Sequence, residues 1–500
     1  MSRFKNNPTF HTAIYSTSNL LVSAAGLISF PILTRMLSVE DYGILNLIAL
    51  TLMILVGLGK AGLQRSIIRF GSEARSSASP FGEADIYMTS IVGMLAIVLA
   101  IQAVWSVASQ FLPLGMVGDA RVYPIFVLSG MMVVGQVLYS GISNVFVSEK
   151  ASVSLSLINV LKRYSWIAVL VPCLLLAENK LQIFYLAGGL HELAFCAIMV
   201  IVCSRLFPLF RGKVSRPMLR PLLAYGLPLA GYEMISLVLV YGDRAQISYF
   251  LGTLDVGLYA AAYNLCTYLS TVFLISVATA ITPMYMDRWE KGGRAETEAF
   301  LALVLRYYLM LSLPCAVGAS LIGLDLITFL AGEKYTGAHD VIPYVITGML
   351  VDGLTVVMAA GLQIQKRTGS MMAVMAAAAV INLGLNSVLI PLAGIQGAAI
   401  GTLLAYLFFT GGCWFLGRRI LTVRLEWRPV LIYLLGTAAM ALAVLSVGMP
   451  SPAANLLVKV MAGALVFAGV VLALDGEIRR IVLGHGARAL ALLRRRPAFK

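Results

Sequence analysis

Little in this sequence is charged. Lys, Arg, Asp and Glu make up 12% of the 500 residues while 60% are hydrophobic, a balance that soluble globular chains of this length do not carry. Cysteine is sparse as well. Cys173, Cys196, Cys203, Cys266, Cys315 and Cys413 are scattered through apolar runs with no CxxC pair. That argues against a disulfide framework or a metal site and leaves them as small packing residues. No Gly-rich stretch has phosphate-loop spacing, so nothing points to an ATPase. The longest polar segments, about 64–83 and 205–218, are short basic loops, which excludes a large extramembrane catalytic module. No small-residue cleavage site follows the first apolar run, so it reads as a retained helix and not a signal peptide.

What is there is one apolar run after another. A helix needs ~20 residues to cross a ~30 Å hydrocarbon core. By that rule fourteen candidate spans can be counted, the first near 10–34 and the last two, which are the shortest, near 429–448 and 455–474. The expected fold is an all-α polytopic membrane protein. The net charge of +14 follows the same logic: with a cytoplasmic N-terminus, cytoplasmic segments hold 27 Lys and Arg and the opposite segments only 4. This asymmetry sets orientation, with both termini cytoplasmic, and no nucleic acid is needed to explain the basic balance. The tail "IRRIVLGHGARALALLRRRPAFK" alternates apolar and basic residues and is expected to lie on anionic membrane lipids.

A faint repeat divides the chain. "LSVEDYGIL" (Leu37 to Leu45) resembles "LGTLDVGLY" (Leu251 to Tyr259) at an offset of 214, with Leu37, Asp41 and Gly43 matching Leu251, Asp255 and Gly257. Both stretches join the first and second spans of a six-span set. Asp41 and Asp255 are each read as the N-cap of the helix that follows. Two parallel six-span halves are a transporter pattern. The expected units are two six-helix lobes, 1–210 and 211–421, two additional helices in 422–475, and a basic cytoplasmic tail, 476–500.

Ionisable side chains deep in a span are costly and usually face a cavity or each other. Lys162 and Arg163 fall near the middle of the fifth span, Arg244 lies in the seventh and Arg306 in the ninth. All four are candidate anion ligands, and Lys60 and Lys459, near span ends, are read as snorkelling. Asp243 is adjacent to Arg244, but neighbours in a helix point roughly 100° apart, so the two are expected to need separate partners. Glu233 is three turns from Arg244 and is placed on the same face. Glu233 and Asp352 are the candidate coupling-ion residues, while Glu192 and Asp325 read as structural. Polar stripes at helical spacing add Gln136, Tyr139, Ser140, Ser143 and Asn144 in span 4, Asn159, Arg163 and Trp166 in span 5, and Tyr259, Tyr263 and Thr267 in span 8. Each stripe alone could be helix–helix glue. Together with central Arg they suggest a wet, hydroxyl-reading cavity that suits sugars.

The stretch "YGLPLAGYEMISLVLVYGDRAQISYFLGTLDVGLYAAAYNL" (Tyr225 to Leu265) resembles the seventh and eighth spans of Wzx-type polysaccharide-unit flippases, within the multidrug/oligosaccharidyl-lipid/polysaccharide exporter superfamily. So does "INLGLNSVLIPLAGIQGAAIGTLLAY" (Ile381 to Tyr406) and, more loosely, "LTRMLSVEDYGILNLI", so that the likeness covers about 1–420. It implies two six-helix bundles in a pseudo-twofold V around a cationic cavity. Alternating access would carry a polyprenyl-pyrophosphate-linked oligosaccharide from the cytoplasmic to the outer leaflet of a bacterial inner membrane. The cargo would be held by Lys162, Arg163, Arg244 and Arg306 with Asn159, Trp166, Tyr259 and Tyr263. It further implies Na+ or H+ as coupling ion, no bound cofactor, no covalent chemistry, and polysaccharide assembly proteins as partners. Fourteen spans depart from the common twelve and also occur in lipid II flippases, which keeps lipid II open as cargo. A cation-coupled drug exporter predicts a carboxylate-dominated cavity, against which Lys162 and Arg163 argue. A membrane glycosyltransferase would need an outer acidic pair other than Glu40–Asp41 and a larger outer loop.

Overall fold

The computed structural model describes residues 8–75, 81–112, 121–207 and 209–480, without the side chains of 8–13 and 272–280. Among these residues there are helices and no strands. In chain order the helices are α1 Pro8–Met36, α2 Val39–Lys60, α3 Leu63–Arg75, α4 Glu83–Ala108, α5 Val122–Leu128, α6 Gly130–Ser148, α7 Ser152–Leu176, α8 Lys180–Leu206 and α9 Arg216–Leu251. They continue as α10 Thr253–Leu321, α11 Gly323–Ala331, α12 Ile342–Met358, α13 Ala360–Ile364, α14 Thr368–Gly417, α15 Trp427–Leu445 and α16 Pro452–Leu474.

Among the described residues, twelve helical stretches are long and apolar enough to cross a membrane, judged by length and composition. Fourteen spans can still be placed on these helices, because α10 and α14 each carry two expected spans on either side of a break. A straight α14 of 50 residues would run ~75 Å, far beyond a bilayer. Instead it breaks at Ala393 and Gly394 (φ +59°), and its halves touch: Asn382 Nδ2 donates to Thr402 Oγ1 at 3.3 Å. In α10 the non-helical residue is Gly293, at φ +68°. Its two ends return to the same side, since Thr253 Oγ1 donates to Glu40 at 3.2 Å and Lys334, just beyond α11, donates to the Leu37 carbonyl.

Three expectations change. The segment after the second span is not a loop: α3 continues past a kink at Ala61 and Gly62 out to Arg75, because Leu63, Ile67 and Gly71 recur on one buried side. Asp41 is not an N-cap. Ser38 is, its hydroxyl accepting from the Asp41 amide at 3.0 Å; Asp41 sits in the first turn, where a carboxylate complements the helix dipole, and pairs with Arg121 at 3.1 Å. Asp255 is likewise in a first turn, behind Gly252. Ser77 and the tail from Ile481 lie outside the described residues.

The repeat acquires a physical reason at this end of the molecule. A Cβ on Gly43 would meet the Thr253 carbonyl oxygen at 1.9 Å, and one on Gly257 would meet the Val39 carbonyl oxygen at 2.0 Å. Both partners obey the 214-residue offset, so the two matched motifs form one mutual backbone contact that only glycine permits.

Candidate functional site

The fifth span supplies the framework. Asn159, Lys162, Arg163 and Trp166 are spaced i, i+3, i+4, i+7 on α7 and share a face. That face opens on a cavity of about 410 Å³ walled by α1, α6, α7 and α8. Lys162 Nζ lies 2.7 Å from Glu192 of α8 and 3.6 Å from the Tyr139 ring centroid on α6. Tyr139 donates its hydroxyl to Asn159 Oδ1 at 2.6 Å. Arg163 reaches Ser29 of α1 with a long Nη2–Oγ contact of 3.5 Å, and its buried Nε has no partner. Trp166 stands edge-on to Phe184 at 5.4 Å and tilted on His191 at 5.4 Å; His191 Nε2 is 3.0 Å from Ser165 Oγ. Two cations thus face one carboxylate, beside amide donors and aromatic faces. A Cβ on Gly188 would press on Met132 Sδ at 3.1 Å, so glycine keeps that wall back.

The other sequence-derived candidates lie elsewhere. Arg244 is 1% exposed and is enclosed by Tyr241 and Tyr263, each ring centroid 4.6 Å from its guanidinium carbon. Contrary to expectation it does pair with its neighbour: Nη1 is 3.7 Å from Asp243 Oδ1. A long Arg side chain can fold back where the Cα–Cβ directions diverge. The same Asp243 accepts from the Arg244 amide at 2.8 Å and from the Tyr259 hydroxyl of α10. Tyr263 is 3% exposed and 3.4 Å from the Tyr406 hydroxyl. Arg244, Tyr259 and Tyr263 therefore form a sealed knot between α9, α10 and α14.

Glu233 does not serve Arg244. It pairs with Lys60 of α2 and accepts a 3.4 Å contact from Gln64, so Lys60 is bridging and not snorkelling. Lys459 is likewise tied, 2.6 Å from Asp325. Arg306 binds Asp475 at 2.8 Å, the Tyr433 hydroxyl at 3.2 Å, and Glu477. These pairs fasten both ends of α16: Lys459 to α11 near one end and Asp475 to α10 at the other. Asp352 of α12 is exposed, with Tyr232, Tyr308, Tyr406 and Cys413 within electrostatic range. No hydrogen bond or ion pair engages it among the described residues.

Sequence reasoning singled out four cavity residues from α7 and two from α6. It undervalued Glu192 and His191 and missed Ser29, Asn19 and Phe184. Lys162 itself was the available signal for Glu192, because a cation at mid-span needs a counter-charge and the adjacent span offers one acid.

A family model described as "Polysaccharide biosynthesis protein" matches residues 11–288. The chain is 29% identical over 249 residues to an uncharacterized membrane protein of Methanocaldococcus jannaschii, covering 47% of each chain. Over 202 residues it is 25% identical to the "Probable low-salt glycan biosynthesis flippase Agl15" of Haloferax volcanii, covering 39% of this chain and 43% of that one. The matched stretches span less than half of those relatives. Among solved structures, lipid II flippase MurJ in an inward closed conformation superposes with a TM-score of 0.76 at 13% identity, over 94% of this chain and all of that one. An inward-facing multidrug resistance MATE family transporter of the MOP superfamily gives 0.61 at 12% identity, over 80% and 94%. At such identities the likeness shows the fold.

Proposed function

The chain belongs to the polysaccharide biosynthesis protein family, and from that premise we propose that it is a flippase carrying a lipid-linked glycan across a membrane by alternating access, with no covalent step. The observation that carries this reading is the cavity on α7. Its volume of about 410 Å³ lies within the 300–1,000 Å³ of small-molecule sites. Lys162 and Arg163 supply charge-assisted hydrogen bonds to a pyrophosphate, Arg163 with a planar fork whose Nε is unpaired. Gln136, Asn159 and Tyr139 offer hydrogen bonds to sugar hydroxyls, and Trp166 offers a ring for C–H faces. The lipid tail stays in the bilayer. Transport runs from the cytoplasmic to the outer leaflet of the cell membrane in this reading, the two six-helix lobes rocking against each other. Asp352, exposed and unengaged, is the residue proposed to take the coupling Na+ or H+. Lipid II is the second cargo the reading admits, because the MurJ superposition spans nearly the whole chain.

The test is transport of a fluorescent prenyl-pyrophosphate-linked disaccharide by the full chain in proteoliposomes. Lys162→Gln/Arg163→Gln should lower the rate at least 100-fold while the protein melts within a few degrees of wild type. Normal transport by that variant would sink the proposal, and drug-dye efflux in its place would point to the drug-exporter branch.

A further inference from the structure

A second polar cleft lies away from the α7 cavity. It measures about 710 Å³ and runs between α3 and α9, on the side where the charge distribution places the cytoplasm. Arg65 and Arg69 line one wall, one helical turn apart and both exposed. Like charges at that spacing weaken a helix by a few tenths of a kcal/mol. The Arg65 guanidinium has no hydrogen-bond or ion-pair partner among the described residues. Arg69 is aimed: its guanidinium carbon is 4.4 Å from the Tyr225 ring centroid, and Phe70 meets the same ring edge-on at 6.0 Å. Its pair with Glu73, at 3.1 Å, is an exposed i,i+4 contact, which competes weakly with a ligand. The opposite wall is one face of α9, where Tyr225, Tyr232 and Ser236 follow at helical spacing.

The floor and head of the cleft are closed by direct contact between the two helices. Gly226 and Gly62 touch backbone to backbone, a Cβ on Gly62 falling 1.9 Å from the Gly226 oxygen, and Ser66 Oγ donates to the Leu222 carbonyl at 2.7 Å. At the head, Glu233 lines the cleft and pairs with Lys60. Lys60 and Arg69 stand nine positions apart in the chain, on either side of the kink at Ala61 and Gly62.

We propose that this cleft is an intake site for the pyrophosphate–sugar head of the cargo, distinct from the α7 cavity, and that the Lys60–Glu233 pair is the bolt the cargo withdraws. The ligand class rests on the flippase reading; the cleft itself does not. Arg65 and Arg69 hold the phosphates through their forks, and Tyr225 and Tyr232 cover the sugar. A pyrophosphate seated there brings more negative charge to Lys60 than the single Glu233 carboxylate does. Lys60 then turns to the ligand, and the bridge between α2 and α9 opens.

The experiment is isothermal titration of the full chain in phosphatidylcholine nanodiscs with geranyl pyrophosphate, against geraniol as the uncharged control. In the Lys162→Gln/Arg163→Gln background, where the α7 cavity no longer takes the pyrophosphate, Arg65→Gln/Arg69→Gln should weaken binding at least tenfold, and Glu233→Gln should strengthen it several-fold by freeing Lys60. Lys162→Gln/Arg163→Gln should keep the cleft's binding, which separates this site from failure of the transport reading. Unchanged affinity in the Arg65/Arg69 variant, binding of geraniol as tight as that of the pyrophosphate, or complete displacement in phosphatidylglycerol discs would each overturn the proposal. The last would make the cleft a seat for bulk anionic lipid. Unchanged affinity in Glu233→Gln would remove the bolt.

Discussion

Arg163 and Arg244 are both arginines within apolar helices, yet their surroundings differ in kind. Arg163 lines an open cavity, touches Ser29 at the limit of a hydrogen bond and leaves its Nε unpaired. Arg244 has no solvent access to speak of, lies between two tyrosine rings and borrows its neighbour's carboxylate. An isolated cation in either place would be costly. In the sealed site the cost is met by Asp243, the Val240 carbonyl and two ring faces, and although Nη2 is unpaired no cavity reaches it. In the cavity the cost is met only in part, by Glu192 on the adjacent Lys162, and the remainder is available to an anion. Access and residual charge, more than depth in the membrane, distinguish the arginine proposed to hold cargo from the one that packs between helices.

The sharpest way to break this contrast is to remove each cation. Arg244→Leu leaves Asp243 buried without its guanidinium, and breaking a buried pair costs about 3–5 kcal/mol. The variant should therefore melt far below wild type, while Asp243→Asn/Arg244→Leu, which removes both charges, recovers part of the loss. Equal melting of the single and double variants would mean that the pair carries no coupling, and loss of cargo binding without destabilisation would return Arg244 to the binding set.

A smaller effect is expected from sharpening the cavity's charge. Glu192→Gln frees Lys162 and leaves two uncompensated cations, Lys162 and Arg163. Charges a few Å apart at an effective dielectric near 20 interact by on the order of 1 kcal/mol or more, so pyrophosphate should bind this cavity several-fold tighter. Turnover should slow at the same time, because a tighter ground state resists release. Weaker binding would show that Glu192 positions Lys162 instead of restraining it.

How much of this was legible in the sequence follows the same division. Hydropathy finds every span, because each must meet lipid on its own account; even the fold-backs at Gly293 and Gly394 fall between spans counted separately. The α7 face was legible because Asn159, Lys162, Arg163 and Trp166 belong to one helix, and their spacing alone aligns them. Pairings between helices were not. Nothing in the local sequence says that Glu233 meets Lys60 across 173 positions, or that Arg306 meets Asp475 across 169. The matched glycines lie between these cases: the motif was visible, but the contact of Gly43 with Thr253 and Gly257 with Val39 exists only once the two stretches meet.

The third arginine, Arg306, extends the comparison to a charge paired like Arg244 but beside a cleft of about 680 Å³. Its partner Asp475 follows the last apolar helix. Burial disfavours the Asp475 carboxylate, but Arg306, the Ile478 amide and Tyr433 outweigh it and hold this carboxyl below its usual range. A carboxyl depressed in the folded state stabilises it fully above the unfolded value, near ~3.9, and that contribution fades as pH falls through the folded value. At neutral pH the tether is thus complete and acid has no effect, which makes this the smallest change at working conditions. Hydrogen exchange over 427–474 should stay slow from pH 8 to 5 and accelerate only below ~4, after correction for intrinsic rates. Arg306→Gln should already exchange faster at pH 7 and lose most of the acid step. If the wild-type step persists unchanged in Arg306→Gln, the tether does not carry the acid response, and the two arginines differ less than their surroundings imply.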